Sequence, residues 1–166
     1  MSKIYRPDGN MQSGLDDLIA TIPPAERGVC VEVGSAAGES TVRFAKAFGK
    51  VICIDPWPGN MEKYFVIFKN RMRAYPHVYW FREPSIVGAQ YVKDASADLV
   101  YIDAIHDAPH PYNDIQAWLP KVAPGGYIGG HDYRQGKFQD VVDAVYRHFP
   151  MHQVYQFADN SWLVKV

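Results

Sequence analysis

The stretch Val31-Glu32-Val33-Gly34-Ser35-Ala36-Ala37-Gly38 decides the fold of this 166-residue chain. It continues a compact apolar run, 29–33, that is typical of a buried strand, and it leads into residues 39–48, whose apolar spacing predicts a helix. Glycine permits a tight turn and a close backbone approach to a ligand, and the start of a helix offers unpaired N–H groups. The stretch therefore predicts a strand-turn-helix unit at which a ligand can bind. Two glycines alone are weak evidence, because many such turns use them.

An acidic residue at the end of the next strand narrows the choice of ligand. Asp55 follows the second predicted strand and stands 23 positions after Glu32. A carboxylate at this place can accept hydrogen bonds from both hydroxyls of a ribose, as in dinucleotide-binding folds. The Gly-x-x-x-Gly spacing of Gly34 and Gly38 departs from the Gly-x-Gly-x-x-Gly that holds a pyrophosphate. These features predict an adenosine-containing ligand without phosphates, with a purely structural turn and an incidental Asp55 as the alternative.

Short β-rich runs alternate with longer helical patterns along the chain, which is typical of a doubly wound α/β sheet. The last two runs are joined by residues 158–161, so we expect a hairpin and an antiparallel last strand. We therefore predict one Rossmann-like domain over 1–166, with a seven-stranded, mostly parallel sheet, helices on both faces and an N-terminal helical segment over 1–28. The predicted strands are 29–33, 51–54, 77–81, 98–102, 127–130, 152–157 and 162–166, and the predicted helices are 14–22, 39–48, 60–74, 85–92, 111–119 and 138–149.

Composition limits the classes of partner and compartment. The formal net charge is −1 and hydrophobic residues make up 48% of the chain, so we expect a globular protein that binds neither nucleic acid nor an anionic membrane. No apolar run is long enough to span a bilayer, and residues 1–10 lack the apolar core of a secretory signal. Cys30 and Cys53 lie in apolar strands, where buried free thiols are favoured over a disulfide, so we expect a cytoplasmic protein.

Residues 31–38 together with Asp55 resemble the first motif of class I methyltransferases, in which an acid-x-Gly-x-x-x-Gly turn holds S-adenosylmethionine. The Ser40-Thr41 pair matches a pair common after this turn in small-molecule O-methyltransferases. The resemblance implies that Glu32 lies near the methionine part of the cofactor and that Asp55 binds its ribose.

The same resemblance implies that the loop after the third strand contacts the adenine, which makes Glu83 and Ser85 candidates. The structural alternative is that Ser85 simply caps the following helix. The full set of cofactor-binding residues that the resemblance implies is Glu32, Gly34, Ser35, Gly38, Ser40, Thr41, Asp55, Pro56, Trp57, Glu83, Ser85 and Asp103.

Three side chains at the ends of two further strands are suited to a metal ion. Asp103 follows the fourth predicted strand, and His131 and Asp132 follow the fifth. We expect these strands to be neighbours, so the three side chains should converge at the carboxyl edge of the sheet, where open α/β sheets bind ligands. Two carboxylates and one imidazole can bind a divalent cation such as Mg²⁺ or Mn²⁺ and leave room for water and substrate oxygens.

The segments 102–106 and 129–133 resemble a branch of small class I methyltransferases that is related to metal-dependent catechol-type and antibiotic-sugar O-methyltransferases. In that branch an Asp-Asp or Asp-Asn pair ends the fifth strand, whereas this chain has His131-Asp132, which shifts metal preference toward transition metals. Where the catechol-type enzymes have a lysine base, this chain has His106, whose imidazole can accept a proton near neutral pH. The alternatives are that Asp103 only orients the sulfonium side of the cofactor, as in metal-free relatives, and that His106 positions the substrate or is an exposed loop histidine.

The predicted function is methyl transfer from S-adenosylmethionine to a hydroxyl of a small molecule, such as a sugar, a phenol or a hydroxy acid, with Asp103 and His106 as catalytic residues. Two other classes stay open: a non-catalytic module that binds S-adenosylmethionine, and a nicotinamide-dependent Rossmann enzyme, which the glycine spacing disfavours. A second subunit of a homodimer can also close the acceptor pocket. The loops expected to form that pocket are 56–61, 105–112 and 133–137, with Trp57, Tyr112 and Tyr133 as candidate walls.

Overall fold

Seven strands and six α-helices make up residues 13–166, the part of the chain that the computed structural model describes. The strands are β1 (Val29–Val33), β2 (Lys50–Ile54), β3 (Val78–Phe81), β4 (Ala97–Ile102), β5 (Val122–Gly130), β6 (Tyr155–Gln156) and β7 (Trp162–Lys165). The helices are α1 (Ser13–Thr21), α2 (Glu39–Ala47), α3 (Glu62–Met72), α4 (Ser85–Gly88), α5 (His110–Trp118) and α6 (Gln139–His148).

The strands form one seven-stranded sheet in the order β3-β2-β1-β4-β5-β7-β6. β1 pairs in parallel with β2 on one side and with β4 on the other, so the chain order reverses direction between β1 and β4. β7 runs antiparallel to both β5 and β6. The predicted Rossmann-like, doubly wound sheet with an antiparallel last strand is confirmed, and so is the pairing of the strands that end before Asp103 and His131.

Helices cover both faces of the sheet, as predicted. Alternating residues of β1 point to opposite faces: Val31 and Val33 lie in one hydrophobic core, and Cys30 lies in the other. The first core contains apolar residues of α5 and α6, such as Ile115 and Val145. The second core contains apolar residues of α1, α2 and α3.

Two strands differ in length from the predictions by more than one residue. β5 begins at Val122, five positions before the predicted start at Tyr127, because Val122 already pairs with β4 ahead of an irregularity in the register. Gly125, with φ of +78°, lies in the stretch between Val122 and Tyr127 that does not pair with β4. β6 has only two residues, because the first half of the predicted strand 152–157 forms a 3₁₀ turn over Met151–Gln153.

Cys30 and Cys53 are buried free thiols on the neighbouring strands β1 and β2, as predicted. Within residues 13–166, no helix combines the length and apolar character that crossing a membrane requires. The predicted N-terminal helical segment contains α1, and its part before residue 13 lies outside the described residues.

Glu32, in the middle of this sheet, holds the turn between β1 and α2 in place. The side chain is fully buried, and its carboxylate accepts a hydrogen bond of 2.7 Å from the Ser35 hydroxyl. The hydroxyls of Ser40 and Thr41, in the first turn of α2, donate to the same carboxylate. Burial raises the pKa of Glu32 above its ordinary value, and these hydrogen bonds oppose that effect. One buried carboxylate thus ties the strand, the turn and the helix together.

We expect Glu32→Ala to lower the free energy of unfolding by about 3 kcal/mol, because three hydroxyls lose their acceptor and those of Ser35 and Thr41 are buried. Urea unfolding followed by circular dichroism measures the change. Glu62→Ala is the matched control, since Glu62 is half exposed and pairs with Arg82 at the surface; its loss should stay below about 1 kcal/mol. Equal small losses in the two variants would contradict the structural role of Glu32.

Candidate functional site

A cavity of about 680 Å³ opens at the carboxyl ends of β1, β2 and β4. Its volume lies within the range of about 300–1,000 Å³ that small-molecule sites occupy, and its position is where open α/β sheets bind ligands. Helix α3, the first turn of α4 and the first two turns of α5 form its remaining walls. The residues that line it are Val33, Gly34, Ala36, Ile54, Asp55, Pro56, Pro58, Asn60, Met61, Lys63, Tyr64, Pro84, Ser85, Ile86, Asp103, Ala104, Ile105, His110 and Asp114.

The two glycines of the β1–α2 turn allow close approaches to different parts of the protein. Gly34 lines the cavity with φ of +92°, and a Cβ at this position would lie 2.0 Å from the carbonyl oxygen of Asp103. A side chain at position 34 would therefore push β1 and the segment after β4 apart. Gly38 does not line the cavity; it has φ of +82° and comes so close to α3 that a Cβ would lie 2.9 Å from the Phe68 ring. The structure thus places only Gly34 beside the space for a ligand.

Asp55 lines the cavity at the tip of β2 and also fixes the loops around it. Its two carboxylate oxygens accept backbone hydrogen bonds from Ala36, at 2.9 Å, and from Trp57, at 2.8 Å. The Trp57 indole N–H donates to the Ala36 carbonyl oxygen at 2.6 Å, and the ring packs against Phe65 and Phe68. Trp57 is only 1% exposed and does not line the cavity. Its role is to join the loop after β2 to the β1–α2 turn.

Several residues that the sequence predicts as cofactor-binding lie away from the cavity wall. The buried network under the turn contains Glu32 and its three hydroxyl partners Ser35, Ser40 and Thr41. Glu83 lies at the surface end of the loop after β3, where its carboxylate accepts a hydrogen bond from the Tyr91 hydroxyl at 3.5 Å. Neither group lines the cavity.

Ser85 lines the cavity, and the alternative that it caps a helix is wrong. The cap position of α4 is Pro84, with no side-chain hydrogen bond to the helix. The Ser85 hydroxyl instead accepts a hydrogen bond of 2.9 Å from the indole N–H of Trp118 in α5. This contact joins the loop after β3 to the helix after β4.

Asp103, His131 and Asp132 converge as predicted. One potential ligand atom from each side chain lies within 4.8 Å of the others. They come together because β4 and β5 are neighbours and Ile102 pairs with Gly130 at the strand ends. His131 is 6% exposed and Asp132 5%, and Asp132 has φ of +61°, a left-handed conformation that costs energy for a residue other than glycine. Such strain is found most often at functional sites.

His106 contacts both acids of this cluster. Its Nε2 lies 2.5 Å from Oδ2 of Asp132 and 3.7 Å from Oδ1 of Asp103. The ring packs against Phe138, with 5.1 Å between the ring centroids. Since Asp103 also lines the cavity, the cluster adjoins the cavity directly. An imidazole is a side chain that can take part in proton transfer, and here it lies beside the cavity.

The loops expected to form the pocket contribute unequally. Loops 56–61 and 105–112 supply part of the lining, whereas loop 133–137 supplies none. Tyr133 is 7% exposed and packs edge-on against Tyr146, and burial raises its pKa above the ordinary value. Of the candidate wall residues Trp57, Tyr112 and Tyr133, none lines the cavity.

Sequence reasoning missed several lining residues, among which Asp114 is the most telling. Asp114 belongs to the buried stripe of α5, together with Pro111, Ile115 and Trp118. This is the i, i+3, i+4, i+7 spacing of a core-facing side, so a carboxylate within it signals a special environment. The other lining residues missed include Lys63, Tyr64 and Ile86.

Solved structures with low sequence identity share this fold. The chain is similar to an N-methyltransferase, NodS, from Bradyrhizobium japonicum WM9 in complex with S-adenosyl-L-homocysteine, with 16% identity over 96% of this chain and 87% of that one and a TM-score of 0.69. It is also similar to an rRNA methylase from Streptococcus thermophilus, with 16% identity over 98% and 96% and a TM-score of 0.66. A third similar structure is a putative caffeoyl-CoA O-methyltransferase from Staphylococcus aureus, with 17% identity over 92% and 82% and a TM-score of 0.69.

No curated protein sequence matches the chain. A family model described as a methyltransferase domain matches residues 31–133, which include the β1–α2 turn, Asp55 and the cluster around Asp103. This match spans more than half of the chain, and the fold agrees with it. The chain therefore belongs to this methyltransferase-domain family and is a class I methyltransferase that uses S-adenosylmethionine.

Proposed function

We propose that this methyltransferase methylates a hydroxyl group of a small molecule, such as a sugar, a phenol or a hydroxy acid, with the help of a divalent metal ion. The observation that carries the proposal is the shared position of Asp103. This carboxylate lines the cavity and belongs to the cluster with His106, His131 and Asp132. Groups suited to binding a cation and accepting a proton thus adjoin the cavity, and this supports O-methylation of a weakly acidic hydroxyl.

The cavity has the features needed to bind S-adenosylmethionine. Asp55 at the tip of β2 is the residue to accept hydrogen bonds from the ribose hydroxyls, because a carboxylate retains acceptor capacity beside its two backbone contacts. Gly34 leaves the cavity wall free of a side chain where the methionine part would pass. The buried Glu32 contributes indirectly to cofactor binding, because its hydrogen bonds fix the turn that carries Gly34.

The donor set of Asp103, His131 and Asp132 fits a divalent cation. Two carboxylates and one imidazole supply hard and borderline donors, and the close approach of their ligand atoms is compatible with one ion. When bound, such an ion is a Lewis acid that lowers the pKa of a coordinated hydroxyl. The imidazole of His131 favours Mn²⁺ or a similar transition metal over Mg²⁺.

His106 is placed to take the proton that the acceptor hydroxyl loses. In the transfer the C–S bond of the sulfonium breaks, a C–O bond forms, and the hydroxyl proton passes to the imidazole. The Asp132 carboxylate, 2.5 Å from Nε2, stabilises the imidazolium that results. The protein otherwise contributes alignment, because the sulfonium is already an activated methyl donor.

A metal-independent reaction is the second candidate, and one observation favours it. Both acids of the cluster contact His106 directly, so Asp103 and Asp132 can orient and charge-balance a histidine base by themselves. In that version Asp103 also faces the sulfonium side of the cofactor.

The overall proposal is tested by incubating the protein with S-adenosylmethionine, Mn²⁺ and a panel of sugars, phenols and hydroxy acids. Release of S-adenosylhomocysteine is measured, and mass spectrometry locates the methyl group. We expect turnover with at least one hydroxyl acceptor. Methylation confined to amines or to nucleic acid would contradict the O-methylation of a small molecule.

Asp55→Asn should lower the affinity for S-adenosylmethionine by about 10- to 100-fold, since charge-assisted hydrogen bonds to the ribose are lost. Isothermal titration calorimetry gives the dissociation constants. Asp17→Asn, an exposed change on α1, is the matched control and should bind like the wild type. An unchanged affinity in Asp55→Asn would remove Asp55 from the cofactor site.

Wild-type protein should bind Mn²⁺, and Asp132→Asn or His131→Ala should weaken that binding at least about tenfold, because each removes a ligand. Calorimetry and the electron paramagnetic resonance signal of free Mn²⁺ measure it. Asp107→Asn, an exposed change in the loop after β4, is the control. Full activity after treatment with a chelator, without Mn²⁺ binding, would favour the metal-independent reaction.

We expect His106→Ala to lower kcat by about 10²- to 10⁴-fold, the typical contribution of a general base. Its affinity for S-adenosylmethionine should stay close to that of the wild type, because His106 does not line the cavity. His152→Ala, an exposed histidine change, is the control in the same acceptor assay. A raised KM for the acceptor with an unchanged kcat would instead assign His106 to substrate positioning.

A further inference from the structure

We infer that Asp114 recognises the 6-amino group of the adenine ring and so selects an adenosyl donor over analogues that lack this amine. The inference rests on the proposed binding of S-adenosylmethionine in the cavity. It concerns a carboxylate to which the methyl-transfer chemistry gives no role.

Asp114 is a buried acid on an otherwise apolar side of α5. Its side chain is 4% exposed and yet lines the cavity. Its neighbours on the same stripe, Pro111, Ile115 and Trp118, are all buried and apolar. Within residues 13–166 the partners given for Asp114 are a hydrogen bond from Ser85 and the nearby charge of His110. A buried carboxylate is costly unless donors surround it, so a ligand that donates a hydrogen bond from the cavity would stabilise it further.

The carboxylate is held in a defined orientation by two hydrogen bonds in series. The Trp118 indole N–H donates to the Ser85 hydroxyl oxygen at 2.9 Å, and the Ser85 hydroxyl donates to Asp114. Trp118 is fully buried, so its indole N–H holds the Ser85 hydroxyl in a fixed position. A carboxylate has about four acceptor sites, so the bond from Ser85 leaves capacity for a donor in the cavity.

Burial raises the pKa of Asp114, whereas the hydrogen bond from Ser85 and the charge of His110 lower it. Ser85 and His110, the two residues that lower this pKa, both line the cavity. An amino group that donates into the cavity would likewise favour the ionised carboxylate.

The surroundings of Asp114 suit a purine better than the other parts of the donor. Ile54, Pro84 and Ile86 line the same cavity and offer apolar surface to a flat ring. The other two carboxylates of the lining stand at strand ends, Asp55 after β2 and Asp103 after β4. The ribose hydroxyls are assigned to Asp55, and Asp103 belongs to the cluster with His131 and Asp132. Asp114 is the remaining carboxylate of the lining, and we match it to the adenine amine, a hydrogen-bond donor of S-adenosylmethionine.

The test compares two ligands that differ at the C6–N1 edge of the purine, where the inosyl ligand has a carbonyl at C6 and an N–H at N1. Calorimetry measures the affinities of S-adenosylhomocysteine, with an amine, and S-inosylhomocysteine, with a carbonyl. Wild type should prefer the adenosyl ligand by at least about tenfold, because the carbonyl places two acceptors face to face. Asp114→Asn should lose most of this preference, since the amide N–H can donate to the carbonyl. Ser85→Ala removes the hydrogen bond that orients the Asp114 carboxylate, so it should reduce the preference to an intermediate value.

Asp94→Asn is the matched control, because Asp94 is exposed and pairs with Lys121 at the surface; it should retain the wild-type preference. Thermal unfolding checks that each variant is folded. If Asp114→Asn weakens both ligands equally or leaves the preference unchanged, the assignment of Asp114 is overturned while the proposed function stands. If wild type binds neither ligand at millimolar concentration, the proposed cofactor site is overturned, and the inference with it.

Discussion

The buried carboxylate of Glu32 is the constraint on which the site depends. A carboxylate with no exposure to solvent is tolerated only when several donors surround it, and here three hydroxyls from the turn and from α2 do so. The turn therefore adopts one conformation, in which Gly34 approaches the Asp103 carbonyl oxygen so closely that a side chain would not fit. The position of the cavity follows from this contact between the ends of β1 and β4.

The close approach of β1 and β4 also explains why binding and chemistry adjoin. Asp103 stands at the end of β4 beside the cavity, and the pairing of β4 with β5 brings His131 and Asp132 to it from the other side. His106 closes the group from the loop that follows Asp103. The end of β4 thus borders the cavity proposed for S-adenosylmethionine on one side and the groups of the proposed proton and metal chemistry on the other.

The fold by itself does not select an acceptor. Structures of similar fold carry names that refer to N-methylation, to rRNA and to O-methylation. What can discriminate among acceptors is the local chemistry at the edge of the sheet, where this chain combines two carboxylates with two histidines. Cofactor selectivity is a separate matter, and we assign it to Asp114, which lines the same cavity from helix α5.

The amino-acid sequence alone determined the strand and helix pattern, the strand-turn-helix unit around residues 31–38 and the convergence of Asp103, His131 and Asp132. These features were predictable because period-two and helical patterns are local, and because neighbouring parallel strands must end at the same edge. The sequence could not tell which residues face the ligand. Glu32, Gly38 and Trp57 carry the expected motif but are buried against the protein itself, whereas Asp114 carries no motif and lines the cavity. Only the tertiary structure decides this, because the exposure of a side chain depends on helices α3, α4 and α5 that pack over the strand ends from distant parts of the chain.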